Sequence, residues 1–336
     1  MEELQQQEKI SVAYAPDDKY ALYTLISMIS IMENTDKEID FIIMYSRLKK
    51  ESVAILDTIR RYEKCSITFI KMPEKYFENL RISSWTSVQS WFRIKIPDLK
   101  LNLNKIIYLD CDTMVRVDIS KLWDIDLKDK LIAGVTDVYS STSNANRLKM
   151  ISTSYINAGV LLINCKKWRD EKIFKKIVEY SIKNEELIAY GDQDAINAVI
   201  DDDKINLSPR YNYLETWWCD NYNEYEDNEL EEYKLAQKDP YIVHFTMRKP
   251  NCSDCGNKFK NEWWNYAKRS LFYTKMLEKY REDADMLVAS CCSLKKRFKD
   301  ERKEKFNLSM DKAQKNIWIA QGRIWEMKAK FERENK

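Results

Sequence analysis

The 336-residue chain has one histidine, five glycines and six prolines. Its glycines, Gly134, Gly159, Gly191, Gly256 and Gly322, lie too far apart to write either G-x-G-x-x-G or G-x-x-x-x-G-K-[ST]. Dinucleotide-fingerprint enzymes and P-loop NTPases are thereby excluded, because both need clustered glycines to bring backbone amides onto phosphate. A single histidine also excludes a zinc site with two histidine ligands from this chain alone, and a Ser-His-Asp device would have to use His244. No run of 18 apolar residues occurs, and the opening MEELQQQEKI lacks the apolar segment of a signal peptide. A cytoplasmic chain is expected.

Eight cysteines fit that compartment as free thiols, with Cys65, Cys111 and Cys165 beside apolar stretches where a small buried hydrophobe belongs. Cys252 and Cys255 form a C-x-x-C with no second pair at ligand spacing, which reads as loop thiols rather than a metal or redox site. The 56 basic and 54 acidic residues give a net charge of +2, but 14 basic and 7 acidic residues fall between Lys295 and Lys336. The remainder holds 42 against 47, so the near-neutral chain is an acidic body with a basic tail.

ISVAY (10–14), IDFIIMYS (39–46) and SITFIKM (66–72) read as strands, separated by helical spacing over 20–32 and 48–63, with Asp17 or Asp18 as N-cap of the first helix. This β-α-β-α-β order is the frame of a parallel sheet covered on both faces by helices. A helix over 85–99 ending near Pro97, strands at 105–110, 130–135 and 158–164, and helices near 170–183 and 192–200 continue the pattern. Residues 215–232 read as an acidic, aromatic surface excursion, and long charged helices follow beyond about 260.

The sharpest local feature is KIIYLDCDTMV, a buried strand ending in Asp110-Cys111-Asp112. On an extended segment Asp110 and Asp112 project the same way, at the sheet edge where ligands of open α/β sheets bind. Two carboxylates held together repel unless a cation lies between them. His244 follows another apolar run, YIVHF; with two carboxylates it forms a donor set suited to Mn²⁺ or Mg²⁺, the nitrogen favouring Mn²⁺. Lys249 could meet a phosphate as a point charge.

YAPDDKYA (14–21), FRIKIPDL (92–99), IIYLDCDTMV (106–115), LWDIDL (122–127), INAGVLLIN (156–164), GDQDAIN (191–197) and HFTMRKP (244–250) occur in one order. Together they resemble glycosyltransferase family 8, over roughly residues 9–265. The resemblance implies an α/β fold of the GT-A class, a Rossmann-like, mostly parallel sheet with helices on both faces, spanning 9–265, with a helical, basic extension over 266–336. It further implies retaining transfer of glucose or galactose from a UDP-sugar to a glycan acceptor such as a lipopolysaccharide, capsule or glycoprotein glycan. Mn²⁺ is the implied cofactor, with Mg²⁺ as the alternative.

Carried over position by position, Asp110, Asp112 and His244 would be the metal ligands, with Cys111 between the first two at the donor. Ala15 and Asp17 would line the uracil and ribose pocket, with Lys19 where a smaller polar residue is common. Arg93, Asp137, Asn157, Asp192 and Gln193 would surround the donor sugar, and Lys249 would hold the diphosphate. Gln193 would stabilise an oxocarbenium-like state during front-face attack, an amide being a poor nucleophile, with Asp192 the alternative nucleophile. The chain departs from the family pattern at Met247, where a glycine is usual, and at Asn251, which stands in place of a tryptophan.

Trp217, Trp218, Tyr211, Tyr213, Tyr222 and Tyr225 are candidates for stacking on an acceptor sugar, with Trp85 and Phe77 further candidates. In the tail, Ile317, Trp318, Ile324, Trp325, Met327 and Phe331 interleave with basic residues, a pattern that fits a peripheral contact with an anionic membrane carrying a lipid-linked acceptor, or a helical hairpin packed on protein. No nucleic-acid partner is expected, since no binding module accompanies the basic tail. Glycoside hydrolases also pair carboxylates, but that chemistry leaves Arg93, His244 and Lys249 without a task. A degenerate GT-A module that binds nucleotide-sugar or glycan as a scaffold is the non-enzymatic alternative.

Overall fold

A computed structural model describes residues 9–82, 87–99, 102–137, 141–214 and 227–301. The chain divides into two compact units, Met1–Thr246 and Met247–Lys336.

The first unit is built on seven strands: β1 (Ile10–Tyr14), β2 (Ile39–Tyr45), β3 (Cys65–Lys71), β4 (Lys105–Leu109), β6 (Ile132–Thr136), β7 (Ile156–Asn164) and β8 (Lys204–Asn206), in the order β3-β2-β1-β4-β7-β6-β8. Every residue of β1 is buried, as expected of a strand covered on both faces. The pairs β1–β2, β2–β3, β1–β4 and β6–β8 are parallel, while β7 runs antiparallel to both β4 and β6. The sheet is thus mostly parallel, with one reversed strand that the apolar run alone did not distinguish. A second sheet, in the order β5-β10-β9, joins β5 (Thr113–Val115), β10 (Ile242–His244) and β9 (Tyr213–Leu214).

Strand order reverses between β1 and β4, so their carboxyl ends flank the crevice where open α/β sheets bind ligands. Three features of the chain direct residues there. The first helix (Ala21–Asn34) starts after a turn in which the Asp17 carboxylate accepts from the backbone N–H groups of Lys19 and Tyr20, at 2.8 and 3.0 Å. Asp17 therefore fixes the turn ahead of the helix; the helix's own N-cap is Tyr20, without a side-chain bond, and Asp18 instead receives Ser52 Oγ at 2.6 Å. Gly191 has φ 58°, a conformation glycine adopts at little cost, and this turn starts the helix Asp192–Ile200 with Asp192 and Gln193 in its first turn.

The third feature lies in β7. Gly134 and Val135 are consecutive in β6, yet they pair with Leu161 and Asn157, leaving Ala158, Gly159 and Val160 bulged out of that ladder.

Two expected elements differ in kind. Residues 87–99 form a 3₁₀ segment, Val88–Ile94, followed by the helical turn Ile96–Leu99, because Pro97 occupies the start of that turn instead of ending a longer helix. Residues 227–238, partly assigned to a surface excursion, form a helix. Phe77 is core, with its ring 5.1 Å from Phe92, so it does not present itself to an acceptor; Tyr213 is likewise buried in β9. Trp85, Trp217, Trp218, Tyr222 and Tyr225 lie outside the described residues.

The second unit contains the helices Lys260–Ala267 and Tyr273–Glu301. The Lys260 ammonium donates to the carbonyls of Cys252 and Ser253, and Asp283 receives both the N–H and the hydroxyl of Ser253, at 2.8 and 2.7 Å. These bonds tie the C-x-x-C turn to both helices. Cys252 and Cys255 are free thiols, and Cys255 donates to the Arg248 carbonyl. Cys111 and Cys165 are buried as expected, whereas Cys65 is half-buried. No helix among the described residues is long and apolar enough to cross a membrane.

Candidate active site

Asp110, Asp112 and His244 converge at the edge of the reversal crevice. Each offers one ligand atom, and the three atoms lie within 4.8 Å of one another. His244 Nε2 stands 3.2 Å from Asp112 Oδ1 and 3.7 Å from Asp110 Oδ2.

The convergence does not arise from strand alternation. Asp110-Cys111-Asp112 is a tight turn between β4 and β5, closed by Thr113 N–H to the Asp110 carbonyl. The antiparallel register of β5 and β10 then sets His244 opposite Thr113, and Phe245 N–H donates to the Asp112 carbonyl at 2.9 Å. Neighbouring strand ends, not one extended segment, bring the trio together.

The β7 bulge forms the floor of the trio. Gly159 accepts from Asp110 N–H at 2.7 Å, and a Cβ at Gly159 would fall 2.2 Å from His244 Cε1 and 2.8 Å from Asp110 Oδ2. Space, not backbone conformation, demands glycine there. Bulging removes backbone groups from the β6 ladder, and side chains satisfy them. Ala158 N–H donates to Gln193 Oε1 at 3.0 Å, the Ala158 carbonyl receives the Arg93 guanidinium, and Gly159 N–H donates to Asn157 Oδ1 at 3.0 Å. Arg93, Asn157 and Gln193, three residues assigned by resemblance to the donor sugar, are thus gathered by one irregularity in one strand.

Arg93 lies between two carboxylates, 3.1 Å from Asp110 Oδ1 and 2.9 Å from Asp192 Oδ2, with its guanidinium carbon 4.4 Å from the centre of the Tyr108 ring. Burial favours its neutral form, but Asp110 and Asp192 more than offset that and hold the guanidinium charged. Asp192 is 2% exposed, and burial raises its pKa to about 6 against the opposing pull of Arg93. Its Oδ2 has the Arg93 charge beside it but no aligned hydrogen bond.

Gln193 is fixed at both ends of its amide, since Nε2 also donates to Tyr155 Oη at 3.2 Å. Tyr155 in turn donates to Asp194 at 2.6 Å, and Asp194 is gripped by two nitrogens of Arg147 and by the N–H groups of Ala189 and Tyr190. Sequence reasoning missed this support. Asp194 sits inside GDQDAIN, and a carboxylate two places after Asp192 on a helix gives no sign of facing inward until the partner Arg147 is known.

Ala15 is buried after β1, which pairs in parallel with β4, so the ends of the two strands lie side by side. Burial raises the Cys111 thiol far out of the reactive range. Lys19 is exposed. Asp137 follows β6, where its N–H donates to the Tyr155 carbonyl at 2.7 Å. Lys249 is half-buried in the second unit, and its carbonyl accepts from Cys252 N–H.

Asn212, which is fully buried, was also missed. Its Nδ2 donates to Asn157 Oδ1 at 2.9 Å, and its Oδ1 lies 3.0 Å from His244 Nδ1. The signal available in sequence was an amide between Tyr211 and Tyr213, ahead of an apolar pair; a buried amide needs partners, but the sequence does not say which.

Two carboxylates and an imidazole nitrogen, closely spaced at a strand edge, fit a divalent cation with oxygen and nitrogen ligands. Among the described residues this is the group with such spacing.

The sheet order, the reversed strand and this trio at the crevice define a glycosyltransferase of the GT-A fold. The chain belongs to glycosyl transferase family 8, whose sequence model matches residues 11–250. It is 26% identical over 279 residues to a lipopolysaccharide 1,2-glucosyltransferase of Escherichia coli, covering 80% of this chain and 78% of that one. A Haemophilus influenzae protein named only at the level of glycosyltransferase is 29% identical over 213 residues, which is 62% of this chain and 64% of that protein. Among solved structures, the galactosyltransferase LgtC in complex with donor and acceptor sugar analogues superposes with a TM-score of 0.71 at 25% identity, over 78% of this chain and 96% of that one.

Proposed function

We propose that the chain is a retaining, divalent-metal-dependent hexosyltransferase that moves glucose or galactose from a UDP-sugar to a glycan such as a lipopolysaccharide. The observation that carries the reading is the convergence of Asp110, Asp112 and His244 over the β7 bulge, with Arg93 and Gln193 anchored to the same bulge. LgtC, described as a galactosyltransferase, and the E. coli glucosyltransferase support hexosyl transfer.

In this reading Asp110, Asp112 and His244 would hold Mn²⁺, or Mg²⁺, which when bound would supply positive charge to the departing diphosphate in place of a general acid. Ala15 and Asp17 receive the nucleoside at the end of β1. Arg93, kept charged between Asp110 and Asp192, orients the sugar by hydrogen bonding and stabilises the arrangement of both carboxylates. Asp137 and Asn157 meet sugar hydroxyls, and Lys249 meets the diphosphate.

Gln193 Oε1 accepts from Ala158 N–H, and in this reading its second lone pair would meet developing positive charge at the anomeric carbon. Asp192 is buried against Arg93, poorly placed to become a covalent nucleophile. Both points favour front-face attack, in which the acceptor hydroxyl bonds to the anomeric carbon on the side the UDP oxygen leaves, and that oxygen takes the hydroxyl proton. A glycosylated Asp192 peptide recovered from a trapped turnover would overturn this mechanism.

The test is hydrolysis and transfer of UDP-glucose and UDP-galactose with Mn²⁺, then with EDTA. Activity that disappears on chelation, and that falls by about 100-fold or more in Asp112→Asn, is expected. UDP binding without turnover would support the scaffold alternative instead.

A further inference from the structure

We infer that Asn212 is a positioning residue that dictates which nitrogen of His244 is bare. Gly159 N–H donates to Asn157 Oδ1 at 3.0 Å, and a backbone amide hydrogen cannot accept, so the side-chain atom facing it is the Asn157 oxygen. That same oxygen lies 2.9 Å from an atom of the Asn212 amide, which must therefore be its NH₂ group. The Asn212 oxygen then points the other way, 3.0 Å from His244 Nδ1. An oxygen facing Nδ1 at hydrogen-bond distance calls for the proton on that nitrogen, against the competing claim of the Asp112 carboxylate on Nε2; with the proton on Nδ1, Nε2 of the neutral ring keeps its lone pair. That lone pair faces Asp112 Oδ1 at 3.2 Å and Asp110 Oδ2 at 3.7 Å.

A neutral imidazole in water favours the opposite tautomer, protonated on Nε2. The fold therefore commits the fully buried Asn212, the half-buried Asn157 and one backbone amide to the less common form. Asn212 is 0% and His244 3% exposed, so water is poorly placed to replace the relay. Three acceptor atoms aimed at one point are mutually unfavourable alone and become a ligand set around a cation. The inference rests on the metal reading of the site for its purpose, but the tautomer itself does not depend on that reading.

Because His244 is the chain's one histidine, a ¹⁵N-histidine spectrum of the full chain contains one imidazole and needs no assignment. Two-bond proton–nitrogen correlations, recorded without metal on the neutral ring, distinguish the two tautomers. Protonated Nδ1 and bare Nε2 are expected in the native chain. Asn212→Asp keeps an acceptor against Nδ1 and should retain that form; Asn212→Leu removes it and should move the proton to Nε2.

Mn²⁺ titrated in the presence of UDP, read by loss of the free-ion paramagnetic resonance signal, should bind about 10- to 100-fold more weakly to Asn212→Leu than to the native chain. Thermal melts verify that each variant is folded. Nε2–H in the native chain, or unchanged tautomer and Mn²⁺ affinity in folded Asn212→Leu, overturns the inference. If Asn212→Leu does not fold, the native spectrum and Asn212→Asp still decide. Nδ1–H together with no Mn²⁺ binding by the native chain would remove the metal reading and leave the relay standing.

Discussion

Asp192 shows how a single side chain couples the site to pH. Its pKa rises from 3.8 to about 6 in the fold because burial penalises the carboxylate more than Arg93 rewards it. The folded state therefore binds a proton that the unfolded state has released between those values. Its contribution to stability is most favourable below the unfolded pKa and declines as pH rises through about 6, by about 3 kcal/mol for a shift of this size. Urea unfolding of the native chain and of Asp192→Asn at pH values on either side of this window checks it. The asparagine variant should gain in stability relative to the native chain as pH rises, and a constant difference would contradict the assignment. At this scale the sequence was informative where chemistry is local: Asp110, Asp112 and His244 are legible as a donor set from their types and their positions after apolar runs. Asn212, Tyr155 and Asp194 are not, since their roles depend on partners tens of residues away.

Among the elements, β7 combines what was legible with what was not. Its apolar-rich run of nine residues announces a strand, but such a run suits either direction, and nothing in INAGVLLIN reveals the bulge at Ala158–Val160. The turn at Asp110–Asp112 was likewise hidden, because a strand pattern continues plausibly through Cys111 into Thr113–Val115. Two glycines in adjoining strands make the bulge testable. A Cβ on Gly134 meets the tips of Ile156 and Leu161, at 2.9 and 3.2 Å, which are flexible side-chain ends. A Cβ on Gly159 meets the buried ring of His244 and the Asp110 carboxylate. Gly134→Ala should cost about 1 to 3 kcal/mol in denaturant unfolding with transferase activity retained. Gly159→Ala should lower Mn²⁺ affinity by about 10-fold or more even where a folded protein is recovered. Equal losses of metal binding in both variants would show that the bulge has no special place in the site.

For the whole molecule, the division into an acidic body and a basic tail leads to its own experiment. The second unit carries the long helix Tyr273–Glu301, and the chain beyond it, outside the described residues, holds ten basic and five acidic residues with two tryptophans. We propose that this segment holds the enzyme at an anionic membrane surface that presents a lipid-linked acceptor. Basic residues near such a surface contribute about 1 kcal/mol each, and salt screens that attraction over about 10 Å at 0.1 M. Flotation with vesicles containing an anionic phospholipid should carry the full chain upward at low ionic strength and release it as salt increases. A chain ending at Glu301 should remain at the bottom while hydrolysing UDP-sugar at the native rate. Equal flotation of the two, or flotation indifferent to vesicle charge, would move the tail's role from the membrane to contact with protein, the alternative that its amphipathic pattern equally allows.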